Sequence, residues 1–389
     1  MSPLPRSRVL FVIGTMGGGG AERQVVEILK RLDRARFEPM LYLAMKQGEL
    51  LPEVPMDVPI FAFWDETPES GGRKLLRKLK LTRFVRYWHL AHILRQQKID
   101  LVYDRTYLAT LDAAGGCLLR ATPRISCCVV DPKPELELHA RGSKTLWWWF
   151  ARRAYQSAKI VLANSAGLRE RMIEYFRLDP AQVRVATNML PGIVTETDSV
   201  PTVQENVPFL VVTAGRLHPQ KGHRDLVQAI DELVHRQGRS LKLIIFGKGE
   251  SEAELRGLIQ TLQLQDHVRL AGFVANSVAH YRHANLFVLS SLYEGMPNAL
   301  VEAVASRIPC VSTDCPSGPA EILDHGRLGA LVPPGDVAAM AAAIADVMDH
   351  PAEVRLRTEA AREHVLEMFN PERAIKRLEE LFEEALSTR

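Results

Sequence analysis

Short continuous apolar runs recur along this chain, each followed by a polar or glycine-rich loop and then by a stretch with apolar residues three and four positions apart. Continuous runs of this length fit strands buried on both faces, and the longer stretches fit amphipathic helices. Residues 8–13 read as the first strand, Gly14-Thr15-Met16-Gly17-Gly18-Gly19-Gly20 as its loop, and 21–32 as a helix with Val25, Val26, Ile28, Leu29 and Leu32 on one face. Further strands are predicted at 37–43, 58–63, 100–103, 124–130, 159–163 and 183–186, with helical patterns between most of them. Such alternation argues for a parallel sheet with helices on both faces.

Residues 191–208 break the pattern. They hold Thr195, Glu196, Thr197, Asp198, Ser199, Pro201 and Asn206, show no periodicity and read as a linker. A second alternation begins at once, with strands at 209–213, 241–246, 268–271, 286–289 and 310–312. The fold class is therefore α/β: two similar doubly wound domains facing a central cleft. A chain of 389 residues is long enough for two such cores.

Charge and cysteines narrow the classes. The net charge of +3 comes from nearly balanced acids and bases, so nucleic acid is not expected as a partner. Cys117, Cys127, Cys128, Cys310 and Cys315 are odd in number and lack C-x-x-C or zinc spacing, which suits reduced, buried thiols in a cytoplasmic protein. The run 9–13 is too short to span a membrane and passes straight into the glycine loop, so no secretion signal is read there. One local block stands out. Arg73, Lys74, Arg77, Lys78, Lys80, Arg83, Arg86 and Arg95 share residues 72–97 with no acid and are interleaved with Leu, Phe and Trp. That pattern predicts either contact with an anionic membrane surface or a solvated helix face. The cluster Trp147-Trp148-Trp149-Phe150 strengthens the first reading or belongs to the core.

The candidate chemistry centres on Tyr293-Glu294-Gly295-Met296-Pro297-Asn298-Ala299-Leu300-Val301-Glu302. Glu294 lies at a strand exit and Glu302 in the first turns of a helix that starts near Ala299. A helix start offers backbone N–H groups, here from Asn298 to Val301, to an anion such as phosphate. Carboxylates accept hydrogen bonds bidentately, so Glu294 and Glu302 suit pairs of sugar or ribose hydroxyls. In isolation a Glu pair is more simply a strand end and a solvated helix face. However, Gly215-Arg216-Leu217-His218-Pro219-Gln220-Lys221-Gly222 follows another strand and sets Arg216 and Lys221 before a helix over 222–234. Two fixed cations beside helix N-termini neutralise a diphosphate without a metal, and the chain contains no Asp-x-Asp. Phe246-Gly247-Lys248-Gly249-Glu250 repeats the strand-to-glycine pattern, and Phe273 and Val274 end the next strand where a nucleobase would lie. The early glycine loop fits neither the dinucleotide nor the P-loop fingerprint. It is read as a phosphate-approach loop or as a merely flexible one.

Taken in order, these motifs resemble the retaining glycosyltransferases of family 4, which have the GT-B architecture. The resemblance covers nearly the whole chain and is most specific over 209–323. It implies two Rossmann-like domains: an acceptor-binding one at 1–190 and a nucleotide-sugar-binding one at 191–370, with 371–389 a helix returning to the first. It further implies that Arg216 and Lys221 grip the donor diphosphate, Glu294 the transferred sugar and Glu302 the ribose. Gly215 and the stretch Gly295, Met296, Pro297, Asn298, Ala299 and Leu300 would supply backbone contacts, Phe273 and Val274 the base pocket, and Gly17 and Gly18 the opposite wall. No cofactor or metal is implied. The donor would be a nucleotide sugar, UDP-linked by preference, and the acceptor a glycan or lipid-linked glycan at the inner membrane face. Retention without an obvious protein nucleophile implies front-face transfer. Many relatives carry a His after the fifth strand, whereas this chain reads Cys127-Cys128-Val129-Val130-Asp131, leaving Asp131 and His139 as candidates to stand in. A nucleotide-sugar epimerase, a phosphorylase and a non-catalytic subunit share the architecture and compete with this reading.

Overall fold

The computed structural model describes residues 6–66, 82–140, 142–190, 208–274, 278–281 and 283–387. The expected linker up to residue 207 and the basic positions Arg73, Lys74, Arg77, Lys78 and Lys80 lie outside the described residues. The chain divides into two compact units, Met1–Met189 with Glu372–Arg389, and Leu190–Pro371.

The first unit is built on seven strands: β1 (Ser7–Ile13), β2 (Phe37–Leu43), β3 (Ile60–Ala62), β4 (Leu101–Arg105), β5 (Arg124–Cys128), β6 (Ile160–Ala163) and β7 (Val183–Val185). All pair in parallel in the order β3-β2-β1-β4-β5-β6-β7. The order reverses between β1 and β4, and ligands of open α/β sheets bind outside the strand carboxyl ends at such a reversal. Two strands are shorter than their apolar runs predict. β3 ends where Phe63 opens the short helix Phe63–Glu66. β5 stops at Cys128 because Asp131 caps the helix Pro132–His139, accepting from the Lys133 amide at 3.0 Å.

The final helix Pro371–Ser387 belongs to this unit. Phe382 packs its ring against Phe11, Phe37 and Tyr103 at centroid distances of 6.2, 5.7 and 5.8 Å. Burial of one such ring stabilises by about 1.5–3 kcal/mol. On the other face the helices Thr82–Gln96 and Tyr107–Arg120 cross closely, because a Cβ on Gly115 would lie 2.4 Å from the Tyr87 ring and one on Gly116 2.7 Å from Leu90.

That crossing changes the reading of the basic block. Arg86 pairs with the buried Asp112 of the neighbouring helix, and Arg83 lies 3.7 Å from the same carboxylate. The block lacks acids in sequence, but two of its cations find one in space. Arg83 also sits over the Trp147 ring at 5.1 Å, and Trp147 and Trp148 pack against the core while Trp149 and Phe150 are exposed. The Trp cluster is thus half core and half surface.

The second unit holds β8 (Phe209–Ala214), β9 (Leu241–Phe246), β10 (Val268–Gly272), β11 (Leu286–Leu289), β12 (Cys310–Thr313) and β13 (Ala330–Val332). Its parallel order is β10-β9-β8-β11-β12-β13, with the reversal between β8 and β11. β13 was not expected; three residues after Gly329 carry too little pattern to read. The two sheets match the GT-B class of two Rossmann-like halves. All five cysteines are unpaired and buried, and among the described residues no helix is long and apolar enough to cross a membrane.

Candidate functional site

The loops leaving β8 and β11, the two strands at the reversal, carry the expected cations and carboxylates. After β8 the backbone turns at Gly215, and Arg216 projects with its side chain exposed. A short 3-10 turn, Pro219–Lys221, is held by His218, whose Nδ1 accepts from the Gln220 amide at 3.1 Å. Gly222 then starts the helix His223–Asp231 with φ +60, and a Cβ there would sit 2.0 Å from the Ser290 carbonyl oxygen. Only glycine lets the two loops approach this closely.

Their contact is extensive. Leu292 N–H donates to the Gln220 carbonyl at 2.8 Å, the Gln220 side-chain Nε2 to the Tyr293 carbonyl at 2.9 Å, and the Ser290 hydroxyl to the Lys221 carbonyl at 2.8 Å. The Lys221 ammonium reaches Oε1 of Glu294 at 2.5 Å, and the Ser291 hydroxyl donates to the same oxygen at 2.7 Å. Glu294 is 6% exposed, so its charge is held by these two donors rather than by water.

Beyond Glu294, Gly295, Met296 and Pro297 are buried and lead into the helix Asn298–Ala305. The amides of Leu300 and Val301 both donate to the Pro297 carbonyl, at 3.0 and 3.2 Å. Leu300 and Val301 thus spend their amides inside the helix and drop out of the expected donor set from Asn298 to Val301. Glu302 is 5% exposed and lies on the same helix, so it is not the solvated helix residue of the simpler reading.

Three supports went unread in the sequence. A Cβ on Gly247 would meet the Gly215 carbonyl oxygen at 1.9 Å, and one on Gly249 the Leu217 carbonyl oxygen at 2.3 Å, so the second glycine pair braces the Arg216 loop. After β12, the Ser317 hydroxyl donates to the Glu294 carbonyl at 2.8 Å and Gly318, φ +92, packs under Gly295. The Ser-Gly turn after a predicted strand was the available signal. Finally, His223 is buried beside Lys221, its Nδ1 without a partner, and burial with the adjacent cation pushes its pKa down to about 3. Phe273 and Val274 follow β10 half-buried, at the edge of the same sheet end.

In the first unit the glycine loop is anchored rather than slack. Met16 is buried, its amide donates to Gln47 and its carbonyl accepts from Leu50, both at 2.9 Å. Gly17 keeps open space around it, since a Cβ would meet only the Thr15 hydroxyl at 3.7 Å; Gly18 follows in the same loop. Asp131 is committed elsewhere. Besides capping its helix it pairs with Arg171 at 2.6 Å while 1% exposed, so it is a structural group and not a free acceptor-side base. His139 stacks on Tyr107 and lies 3.2 Å from Glu135. Asp104, at the end of β4, is buried with Arg124, Ser126 and Thr110.

Known proteins share this fold and parts of this sequence. Residues 18–190 match the model described as Glycosyltransferase Family 4, and residues 208–350 the one described as Glycosyl transferases group 1. The N-acetylgalactosamine-N,N'-diacetylbacillosaminyl-diphospho-undecaprenol 4-alpha-N-acetylgalactosaminyltransferase of Campylobacter jejuni is 28% identical over 82% of this chain and 84% of its own. The amylovoran biosynthesis glycosyltransferase AmsD of Erwinia amylovora is 26% identical over 81% and 83%. An uncharacterised glycosyltransferase of Methanocaldococcus jannaschii is 42% identical, but the match spans 30% of this chain and only 28% of that protein. The crystal structure of Anabaena HepE with UDP and glucose superposes with a TM-score of 0.79 at 20% identity, covering 97% of this chain and 100% of that one. Two adjoining matches on this two-sheet fold place the chain in glycosyltransferase family 4, to which it belongs.

Proposed function

We propose that this chain moves a sugar, with retention, from a UDP-sugar to a hydroxyl of a glycan or lipid-linked acceptor in the assembly of a cell-envelope polysaccharide or glycolipid. The observation that carries the reading is the pairing of Lys221 with Glu294 across the β8 and β11 loops, at the reversal of the second sheet. A cation for phosphate and a carboxylate for sugar hydroxyls stand side by side there. The relatives support the class of chemistry: the C. jejuni protein is named for a diphospho-undecaprenol acceptor, and the Anabaena structure holds UDP and glucose.

In this reading Arg216 and Lys221 bind the diphosphate and stabilise the charge that builds on it as the bond from C1 to oxygen breaks. The helix start at Asn298 and Ala299 adds backbone donors, Gly215 and the stretch from Gly295 to Leu300 shape the floor, and Phe273 and Val274 flank the base. Gly17 and Gly18 let the backbone of the first unit approach a phosphate. Glu294 orients the sugar and Glu302 the ribose. No metal takes part, and the leaving diphosphate accepts the acceptor proton.

Membrane contact belongs to the same proposal, with exposed aromatics joining the basic block as its basis. Phe84 and Trp88, 61% and 68% exposed, lie on Thr82–Gln96, and Trp149 and Phe150 on Lys144–Gln156, each beside arginines. Such a surface suits the interfacial zone of a bilayer.

A panel of UDP-, GDP- and ADP-sugars tests the donor. Thermal stabilisation by UDP-sugars, with donor consumed only when an acceptor is present, is the expected result. Turnover without acceptor indicates an epimerase, and stabilisation by none of the three indicates a non-catalytic subunit.

A further inference from the structure

The carboxylate of Glu294 is held by one of its oxygens only. Oε1 accepts from the Lys221 ammonium at 2.5 Å and from the Ser291 hydroxyl at 2.7 Å, which fills the roughly two lone-pair sites of a carboxylate oxygen. Among the described residues no donor reaches Oε2, and that oxygen is not sealed in, since the side chain keeps 7% of its surface. Glu294 therefore offers a ligand one oxygen rather than two. A pair of neighbouring hydroxyls gripping both oxygens, the contact expected from the sequence, would have to displace Ser291 or Lys221.

The two donors on Oε1 are not equivalent. Lys221 carries its charge on a flexible stem, and the diphosphate is proposed to draw on the same ammonium. Ser291 has a short side chain, is fully buried and lies just beyond β11. Its backbone is pinned from the next strand: Thr313, itself buried at the end of β12, donates its hydroxyl proton to the Ser291 carbonyl at 2.5 Å. The Ser317 hydroxyl fixes the backbone of Glu294 in turn, through the Glu294 carbonyl at 2.8 Å. Of the two partners of Oε1, Ser291 is the one with no other task and no freedom to leave.

We propose that Ser291 is a positioning residue for the donor sugar: it holds Oε1 so that Oε2 alone accepts from a single sugar hydroxyl, and it keeps that orientation when Lys221 turns toward the diphosphate. This deepens the role proposed above for Glu294 and rests on it. Thr313 acts one step further back, through the Ser291 carbonyl. The consequence is a donor site in which Glu294 reads one hydroxyl of the transferred sugar and is indifferent to its neighbours.

Calorimetry tests this without an acceptor. UDP-glucose, UDP-galactose and their 2-acetamido counterparts are titrated into the full chain, and the tightest binder is compared with analogues that each lack one sugar hydroxyl. In the wild type, loss of one hydroxyl should raise Kd about tenfold or more, and Glu294→Ala should bring that ratio close to one, which identifies the hydroxyl that Oε2 accepts. Ser291→Ala should lower the same ratio to about threefold or less, with Thr313→Val falling between. A merely structural role would weaken UDP, the donor and its deoxy analogue alike and leave the ratio as in the wild type. Should Ser291→Ala fail to fold, Thr313→Val, which keeps the Ser291 hydroxyl and the shape of threonine, carries the comparison. An undiminished ratio in the variants that fold overturns the role of Ser291 while the donor reading stands. Two hydroxyls that both lose their effect in Glu294→Ala overturn the single-oxygen contact. If no nucleotide sugar binds the wild type, or none of its hydroxyls depends on Glu294, the proposed donor site itself fails and this inference with it.

Discussion

The Lys221 ammonium and Oε1 of Glu294 lie 2.5 Å apart, joining the loop after β8 to the loop after β11. Each group therefore balances the other's charge, and an incoming diphosphate has to share Lys221 with a buried carboxylate. Replacing Lys221 with Met removes both the phosphate contact and the main partner of Glu294. We expect kcat/KM to fall about tenfold to a hundredfold for Lys221→Met and for Arg216→Ala, the size of one lost charge-assisted contact. The two should differ in stability. Arg216 is exposed and its loss should be neutral, whereas Lys221→Met strands Glu294 and should cost about 1–3 kcal/mol in denaturant unfolding. Normal transfer by both variants would remove the diphosphate assignment.

Gly222 sits where these loops touch. With φ +60 and 2.0 Å between a built Cβ and the Ser290 carbonyl oxygen, Gly222→Ala cannot be accommodated without parting the loops. Urea unfolding should show a loss of about 2 kcal/mol or more, and donor binding should weaken in parallel. A stable, fully active Gly222→Ala protein would mean that the loop contact is not needed.

The acid side of the stability profile should depend on His223. Its folded-state pKa is pushed down to about 3, below the ordinary 6.5, so the unfolded chain binds the proton more readily. Stability is then fully present above the unfolded value and is lost as pH falls from about 6.5 toward about 3, at a slope approaching 1.4 kcal/mol per pH unit for this group alone. His223→Gln should flatten the loss between pH 6 and pH 4 relative to the wild type. Parallel curves for the two proteins would show that the buried imidazole is not the group responsible.

Much of this architecture can be read in the chain itself, and the failures have identifiable causes. Runs such as 37–43 and 286–289 are largely apolar and bounded by turn residues, so the strands of a parallel sheet in each half show through. β13 is missed because three residues are too few to carry a period. The site loops are legible because Arg216, Lys221, Glu294 and Glu302 each follow a strand. What pairs with what is not legible: Arg86 meets Asp112 from another helix, and Lys221 meets Glu294 across 73 positions. Asp131 looks available in sequence, yet capping and Arg171 occupy both its oxygens.

Metal independence is the outcome expected from the same cations. If Arg216 and Lys221 together neutralise the donor diphosphate, transfer should survive excess EDTA with at most a twofold change in rate. Complete loss of activity, recovered with Mn²⁺ or Mg²⁺, would require a metal in the donor site and contradict the proposed division of labour.

The last prediction concerns the surface of the first unit. Arg83 and Arg86 are engaged with Asp112, so the remaining attraction to anionic lipid would come from Arg73, Lys74, Arg77, Lys78, Lys80 and Arg95 and from exposed aromatics. Each basic residue near anionic lipid contributes about 1 kcal/mol, and the exposed rings of Phe84, Trp88 and Trp149 add an apolar, salt-insensitive part. Cosedimentation with anionic vesicles separates the two. Arg73, Lys74, Arg77 and Lys78 changed to Gln should reduce binding mainly at low salt. Phe84, Trp88 and Trp149 changed to Ser should reduce it at high salt as well, with folding checked by melting temperature. If wild type stays in the supernatant with anionic vesicles at low salt, this surface does not meet a membrane and the acceptor is a soluble one.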